Sequence, residues 1–146
     1  MDLYEELRSI AVALDSAGIS YALVGGLAVS IYATPRATED IERAIAALAP
    51  LGFRAPGAAF AVAGGRLRIA RLLKFEGEDL LPVDLLVPVD PALVPLLSDR
   101  VIRDLGGRPV AVVGLRSLRA LKRLRRSPQD VADLEALGPD EPSVGA

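Results

Sequence analysis

Residues 21–41 read Tyr21-Ala22-Leu23-Val24-Gly25-Gly26-Leu27-Ala28-Val29-Ser30-Ile31-Tyr32-Ala33-Thr34-Pro35-Arg36-Ala37-Thr38-Glu39-Asp40-Ile41. Tyr21–Val24 is a short apolar run of the kind that forms a buried strand. Gly25-Gly26 supplies the turn after it, since glycine enters tight backbone geometries without a Cβ penalty. The periodicity of Leu27–Ala33 predicts a short helix. Thr34–Thr38 is expected to be a loop, with Pro35 restricting the backbone ahead of Arg36. A helix over Glu42–Leu48 follows and ends before Pro50 and Gly52.

Outward from this stretch, strand and helix signals alternate. Residues 2–17 read as a helix capped by Asp2, with Glu5 three positions on and Gly18 ending it. Leu3, Leu7, Ile10, Ala11 and Leu14 form its apolar stripe. Ala59–Ala63 and Arg66–Phe75 flank Gly64-Gly65 as a hairpin. Leu80–Val87 is a near-continuous apolar run broken by one acid, Asp84. Asp90 caps a short helix over Pro91–Leu97. Val101–Leu105 and Pro109–Val113 make a second hairpin around Gly106-Gly107. Leu115–Arg126 is a basic helix, and Ser127-Pro128 starts a last helix that ends at Leu137. The pattern predicts an α/β (α+β) architecture, a mixed sheet flanked by helices with helices at the C-terminal end. One domain is expected over residues 1–137, and the Pro/Gly-rich tail 138–146 is expected to be flexible.

Composition narrows the chemistry. In 146 residues, 51% are hydrophobic and only 4% aromatic, so the core must be aliphatic. Histidine and cysteine are absent. That removes Ser-His-Asp and Cys-His catalysis, histidine bases, disulfides and the usual zinc sites. Carboxylates, lysine or arginine must carry any catalysis, and carboxylates favour hard ions such as Mg²⁺. A net charge of −2 leaves no overall basic footprint for nucleic acid. No apolar run approaches the roughly 20 residues of a membrane span. The start, MDLYEELRSI, lacks a basic, apolar leader. A cytoplasmic protein with no membrane partner is therefore expected.

The segment YALVGGLAVSIYATPRATEDI resembles the active-site opening of nucleotidyltransferase-fold proteins, most closely the abortive-infection toxin (AbiEii-like) branch and its small relatives. That family runs strand, Gly-Gly or Gly-Ser turn, helix, then Arg-x-Thr-x-Asp-x-Asp. Gly25, Gly26, Arg36, Thr38 and Asp40 match, and Glu42 stands where the second Asp belongs. Asp84 fits the third acid, on a later strand. Lys122, Asp130 and Asp133 match the Lys-containing helix and paired-Asp helix of the relatives. The resemblance implies transfer of a nucleoside monophosphate from an NTP to a hydroxyl. Asp40, Asp84 and Glu42 would be the catalytic acids and hold Mg²⁺ or Mn²⁺. Gly25, Gly26, Arg36, Thr38 and Lys122 would bind the nucleotide. The acceptor would be RNA, a protein side chain or a small molecule, and an antitoxin partner is implied because relatives are often toxins.

Physical chemistry accommodates this scheme. A glycine pair between strand and helix lets a triphosphate approach the backbone, and the helix start offers free N–H groups. Acids two apart on extended chain point to one side. A third acid from a neighbouring strand would complete a two-metal clamp. Each residue also has a plainer role. Gly25-Gly26 serves equally as a tight turn. Asp40 can cap a helix beginning at Ile41, and Glu42 suits a first helical turn. Asp84 could face solvent on an edge strand. Arg36 can anchor its loop, the Lys122 helix can be a solvated basic face, and Asp130 fits a capping box with Ser127. The chain also departs from the family: the apolar strand expected after the second acid is missing, and Asp40-Ile41 runs straight into a helix. The alternative to an enzyme is therefore a catalytically degenerate member of the fold, acting as a binding or interaction module.

Overall fold

The computed structural model describes residues 1–24, 28–31, 37–125 and 128–137, with the side chains of residues 28, 30, 37, 38, 125, 133, 134 and 137 outside that description. The chain opens with helix α1 (Leu3–Ser16). The Asp2 carboxylate caps it, accepting from the Tyr4 N–H at 2.9 Å. Its buried stripe is Leu7, Ile10, Ala11 and Leu14, while Leu3 is exposed. Among the described residues seven strands follow: β1 (Tyr21–Leu23), β2 (Ala28–Ile31), β3 (Phe60–Val62), β4 (Leu67–Glu76), β5 (Asp79–Pro88), β6 (Arg100–Leu105) and β7 (Arg108–Val113). They form a single mixed sheet in the order β3-β4-β5-β2-β1-β7-β6. β2 runs parallel to β5 and β1 parallel to β7; the other neighbours are antiparallel. The remaining helices are α2 (Ala37–Leu48), α3 (Val94–Ser98), α4 (Leu115–Arg125) and α5 (Pro128–Leu137).

The strand period of two divides the core into two layers. On one face Tyr21, Leu23, Val29, Ile31, Leu72, Val83, Leu85 and Val87 pack with α1 and with Ile41, Ala44 and Leu48 of α2. On the other, Ala22, Val24, Ile69, Leu86 and Val113 pack with Leu93, with Leu97 of α3 and with Leu121 of α4. β5 alternates in burial up to Asp84, with Leu80 and Pro82 exposed, and is buried on both faces from Leu85 to Pro88, where its residues are apolar without a break.

Two expectations change. Leu27–Ala33 is not a helix: residues 28–31 form β2, with Val29 and Ile31 fully buried. Two β-branched residues at alternate positions fit a pleated surface better than a helix. The strand sits between β1 and β5. The second helix begins at Ala37, not Glu42, so Thr38 and Asp40 are helical. The acids Glu39 and Asp40 favour that start, because carboxylates are stabilised in a first turn. The tail 138–146 lies outside the described residues.

Leu85 is fully buried between β4 and β2 on the α2 face. Leu85→Ala is expected to lower the unfolding free energy by about 2–5 kcal/mol, measured by urea denaturation with an unchanged slope. Backbone ¹³C shifts of Ala28–Ile31 should be those of extended chain; helical values there would contradict β2.

Candidate functional site

Asp84 is the partly buried acid of β5. The β4–β5 register puts Arg71 directly opposite it, and the parallel register with β2 puts Ala28 on its other side. Arg71 Nε donates to Asp84 Oδ1 at 2.8 Å and Nη2 donates to Oδ2 at 3.0 Å. This two-point, charge-assisted pairing is the strongest geometry a carboxylate and guanidinium adopt. The Asp84 side chain is 18% exposed, and that of Arg71 54%. The Asp84 hydrogen bonds, then its charge, hold the Arg71 guanidinium above its usual pKa. Sequence inspection missed Arg71. The signal was present in the short Gly77-Glu78 turn, which pairs Glu76 with Asp79 and hence Arg71 with Asp84.

Asp40 is placed differently. It lies in the first turn of α2, is 5% exposed, and has Arg43 Nη1 at 3.9 Å from its Oδ1. Its neighbours Ile41, Ala44 and Leu48 seat α2 on the face of Val83, Leu85 and Val87. Asp84 alternates with those residues and shares its face with Leu86, on the α3/α4 side. The sheet therefore lies between α2 and the Asp84 carboxylate. Glu42 is exposed. Two residues along a helix amount to about 200° of rotation, so Asp40 and Glu42 point in opposite directions rather than to one side. The extended-chain geometry expected for this pair is absent, because the segment is helical. Among the described residues no three Asp or Glu side chains are grouped to hold a metal ion.

Lys122 lies on the Asp84 side of the sheet, since Leu121 of the same helix packs against Ala22, Val24 and Leu86. Its Nζ is 3.7 Å from Asp130 Oδ1, with the two side chains 17% and 4% exposed. The pair ties α4 to α5, so Asp130 has a structural role beyond the first turn of its own helix. Gly25, Gly26 and Arg36 fall outside the described residues, as do the side chains of Thr38 and Asp133. The element after residues 25–27 is a strand, so the helix N-terminus expected to receive a triphosphate there is replaced by β2.

Other polar contacts are structural. Lys74 donates to both oxygens of buried Glu6 at 2.7 and 2.8 Å, and its ammonium lies 5.7 Å from the Phe53 ring centre. This pins α1 to β4. Arg66 Nε donates to Asp90 Oδ2 at 2.8 Å. The Ala92 N–H, then Arg66, holds the Asp90 carboxyl below its ordinary pKa. An open groove of about 700 Å³ runs between α1 and residues 47–51, with Val12, Ala47 and Leu51 among its walls.

No family model, curated protein or solved structure matches the chain.

The Arg71–Asp84 pair makes a measurable claim. Arg71→Ala leaves a mostly buried carboxylate without its counter-charge and is expected to cost about 1–3 kcal/mol. The double change Arg71→Ala, Asp84→Ala should cost less than the sum of the singles by about 1 kcal/mol or more. Additive losses in urea denaturation would mean that the two side chains act independently.

Proposed function

We propose that this chain is a non-catalytic binding or interaction module built on a nucleotidyltransferase-like scaffold. The observation that supports this reading is the division of the acids. Asp84 is engaged at both oxygens by Arg71, and Asp40 is carried by a helix on the opposite face of the sheet. Two-metal transfer needs acids on rigid elements that hold two ions a few ångströms apart. Acids separated by a sheet cannot share an ion.

The second reading is Mg²⁺- or Mn²⁺-dependent transfer of a nucleoside monophosphate. It is favoured by the spacing Gly25-Gly26 through Arg36-x-Thr38-x-Asp40. In that scheme the acceptor hydroxyl would give up its proton to solvent and attack the α-phosphorus as the bond to pyrophosphate breaks, and Asp40, Asp84 and Glu42 would hold the Mg²⁺ or Mn²⁺ that supplies positive charge. Lys122 and Arg36 would offset phosphate charge. A cytoplasmic toxin role, an RNA or protein acceptor and an antitoxin partner all belong to this second reading.

A ligand that binds only the folded chain at ~100 times its dissociation constant stabilises it by roughly 2.7 kcal/mol. Thermal unfolding with NTP, with and without Mg²⁺ or Mn²⁺, is therefore expected to show no metal-dependent shift. Labelled NTPs with total cellular RNA or protein should give no transfer. A metal-dependent shift lost in Asp84→Asn, or transfer lost in Asp40→Ala, would overturn the module and establish the enzyme.

A further inference from the structure

β6 ends the sheet, and its outer edge has no neighbouring strand among the described residues. It is six residues long, Arg100-Val101-Ile102-Arg103-Asp104-Leu105, and its first five residues are exposed. Val101 and Ile102 are 42% and 57% exposed, an unusual apolar content for an open edge. Such an edge is a template for pairing with another chain unless it is blunted. The opposite edge strand, β3, has only three residues.

The hydrogen-bond alternation shows which backbone groups face outward. The Gly114 N–H donates to the Asp99 carbonyl at 3.0 Å, marking 99–114 as a hydrogen-bonded pair. Pairs of that type recur at every second residue of an antiparallel ladder. Residues 101, 103 and 105 therefore turn their backbone groups to β7. Those of Ile102 and Asp104 turn away from it, as does that position at 100. The Gly106-Gly107 turn, with φ of +62° and +87°, has the conformation that joins Leu105 and Arg108 as such a pair.

We propose that two copies of this chain join through their β6 edges, antiparallel about a two-fold axis at Ile102, into one continuous sheet. In that register Ile102 meets its own copy, and Arg100 meets Asp104 of the second copy on both sides of the axis. Each of these pairs is of the hydrogen-bonded type, and at the axis the outward N–H and C=O of Ile102 meet those of its own copy. All three side chains project on one face, where opposite charges directly across a ladder attract; Asp104 Oδ1 already accepts from the Gly107 N–H at 2.7 Å, so the contact across the axis falls to its Oδ2. Registers centred on Arg100, Arg103 or Asp104 put like charges opposite one another. The register centred on Val101 leaves Arg100 against Ile102. The charges that would blunt an edge against foreign strands thus select one self-complementary alignment. The contact is isologous, so it closes at a dimer. Its small area makes it a weak, concentration-dependent one. This inference does not depend on the proposed function.

Sedimentation equilibrium of the full chain, from micromolar to millimolar concentration, is expected to show a monomer–dimer equilibrium. Arg100→Asp and Asp104→Arg each place like charges across the ladder and should weaken dimerisation about tenfold or more. An equimolar mixture of the two restores complementary pairs and should recover wild-type affinity as a heterodimer. Ile102→Lys should be monomeric. Circular dichroism and the melting midpoint check that each variant is folded. Should a swap fail to fold, concentration-dependent amide shifts in the wild-type chain, confined to Ile102 and its β6 neighbours, would carry the same test. A wild-type chain that stays monomeric at millimolar concentration overturns the proposal. So does a dimer that both swaps leave intact, or a mixture no tighter than either variant alone.

Discussion

Asp84 stands where β5 passes from burial on one face to burial on both, and its two-point pairing with Arg71 ties that position to one register of the sheet. Val83, Leu85, Leu86 and Val87 around it are buried. An unpaired carboxylate beside them would cost about 1–3 kcal/mol. Arg71 matches it with two hydrogen bonds, and can do so only in one register of β4 on β5. A slip of one residue would turn Arg71 to the opposite face and leave both charges stranded. That register also decides which aliphatic residues meet α1 and α2 and which meet α3 and α4. The ion pair therefore adds to the Gly77-Glu78 turn in holding that assignment.

Much of the fold was legible where local chemistry and tertiary context agree. The Asp2 cap, the α1 stripe from Leu7 to Leu14, the Gly106-Gly107 hairpin and the strand through Asp84 all follow from period and turn residues. The failures lie where they conflict. Ala28-Val29-Ser30-Ile31 is too short for its period to separate strand from helix, and pairing with β1 on one side and β5 on the other decided it. Ala37–Asp40 reads as the approach to a helix, yet alanine and first-turn acids let the helix begin earlier. That shift of one turn changes the candidate site. Asp40 and Glu42 share a side on extended chain and oppose each other on a helix.

The site itself was legible only as a set of residue types. The pattern named Asp84, Asp40 and Lys122 as candidates, but it carries no information on which face of a sheet a helix will cover. Asp84 and Lys122 end on one side and Asp40 on the other, because α2 and α4 cross opposite faces. Arg71 was hidden for a different reason. It is one arginine in a strand that also holds Arg68, and only the pairing of β4 with β5 distinguishes them. Arg71 faces the α3/α4 side, and Arg68 faces the other.

Lysine occurs in this chain only at positions 74 and 122. Both ammonium groups lie against buried carboxylates, Lys74 on Glu6 and Lys122 on Asp130, with side chains less than one-fifth exposed. The folded molecule thus presents its positive charge to solvent through arginine. Reagents and enzymes that acylate or ubiquitylate lysine meet a protein whose amino side chains are withdrawn, and they act fully on it only after α1 or α5 has come away. Amine chemistry becomes a reporter of opening: modification at Lys74 marks release of the first helix, and modification at Lys122 marks release of the last.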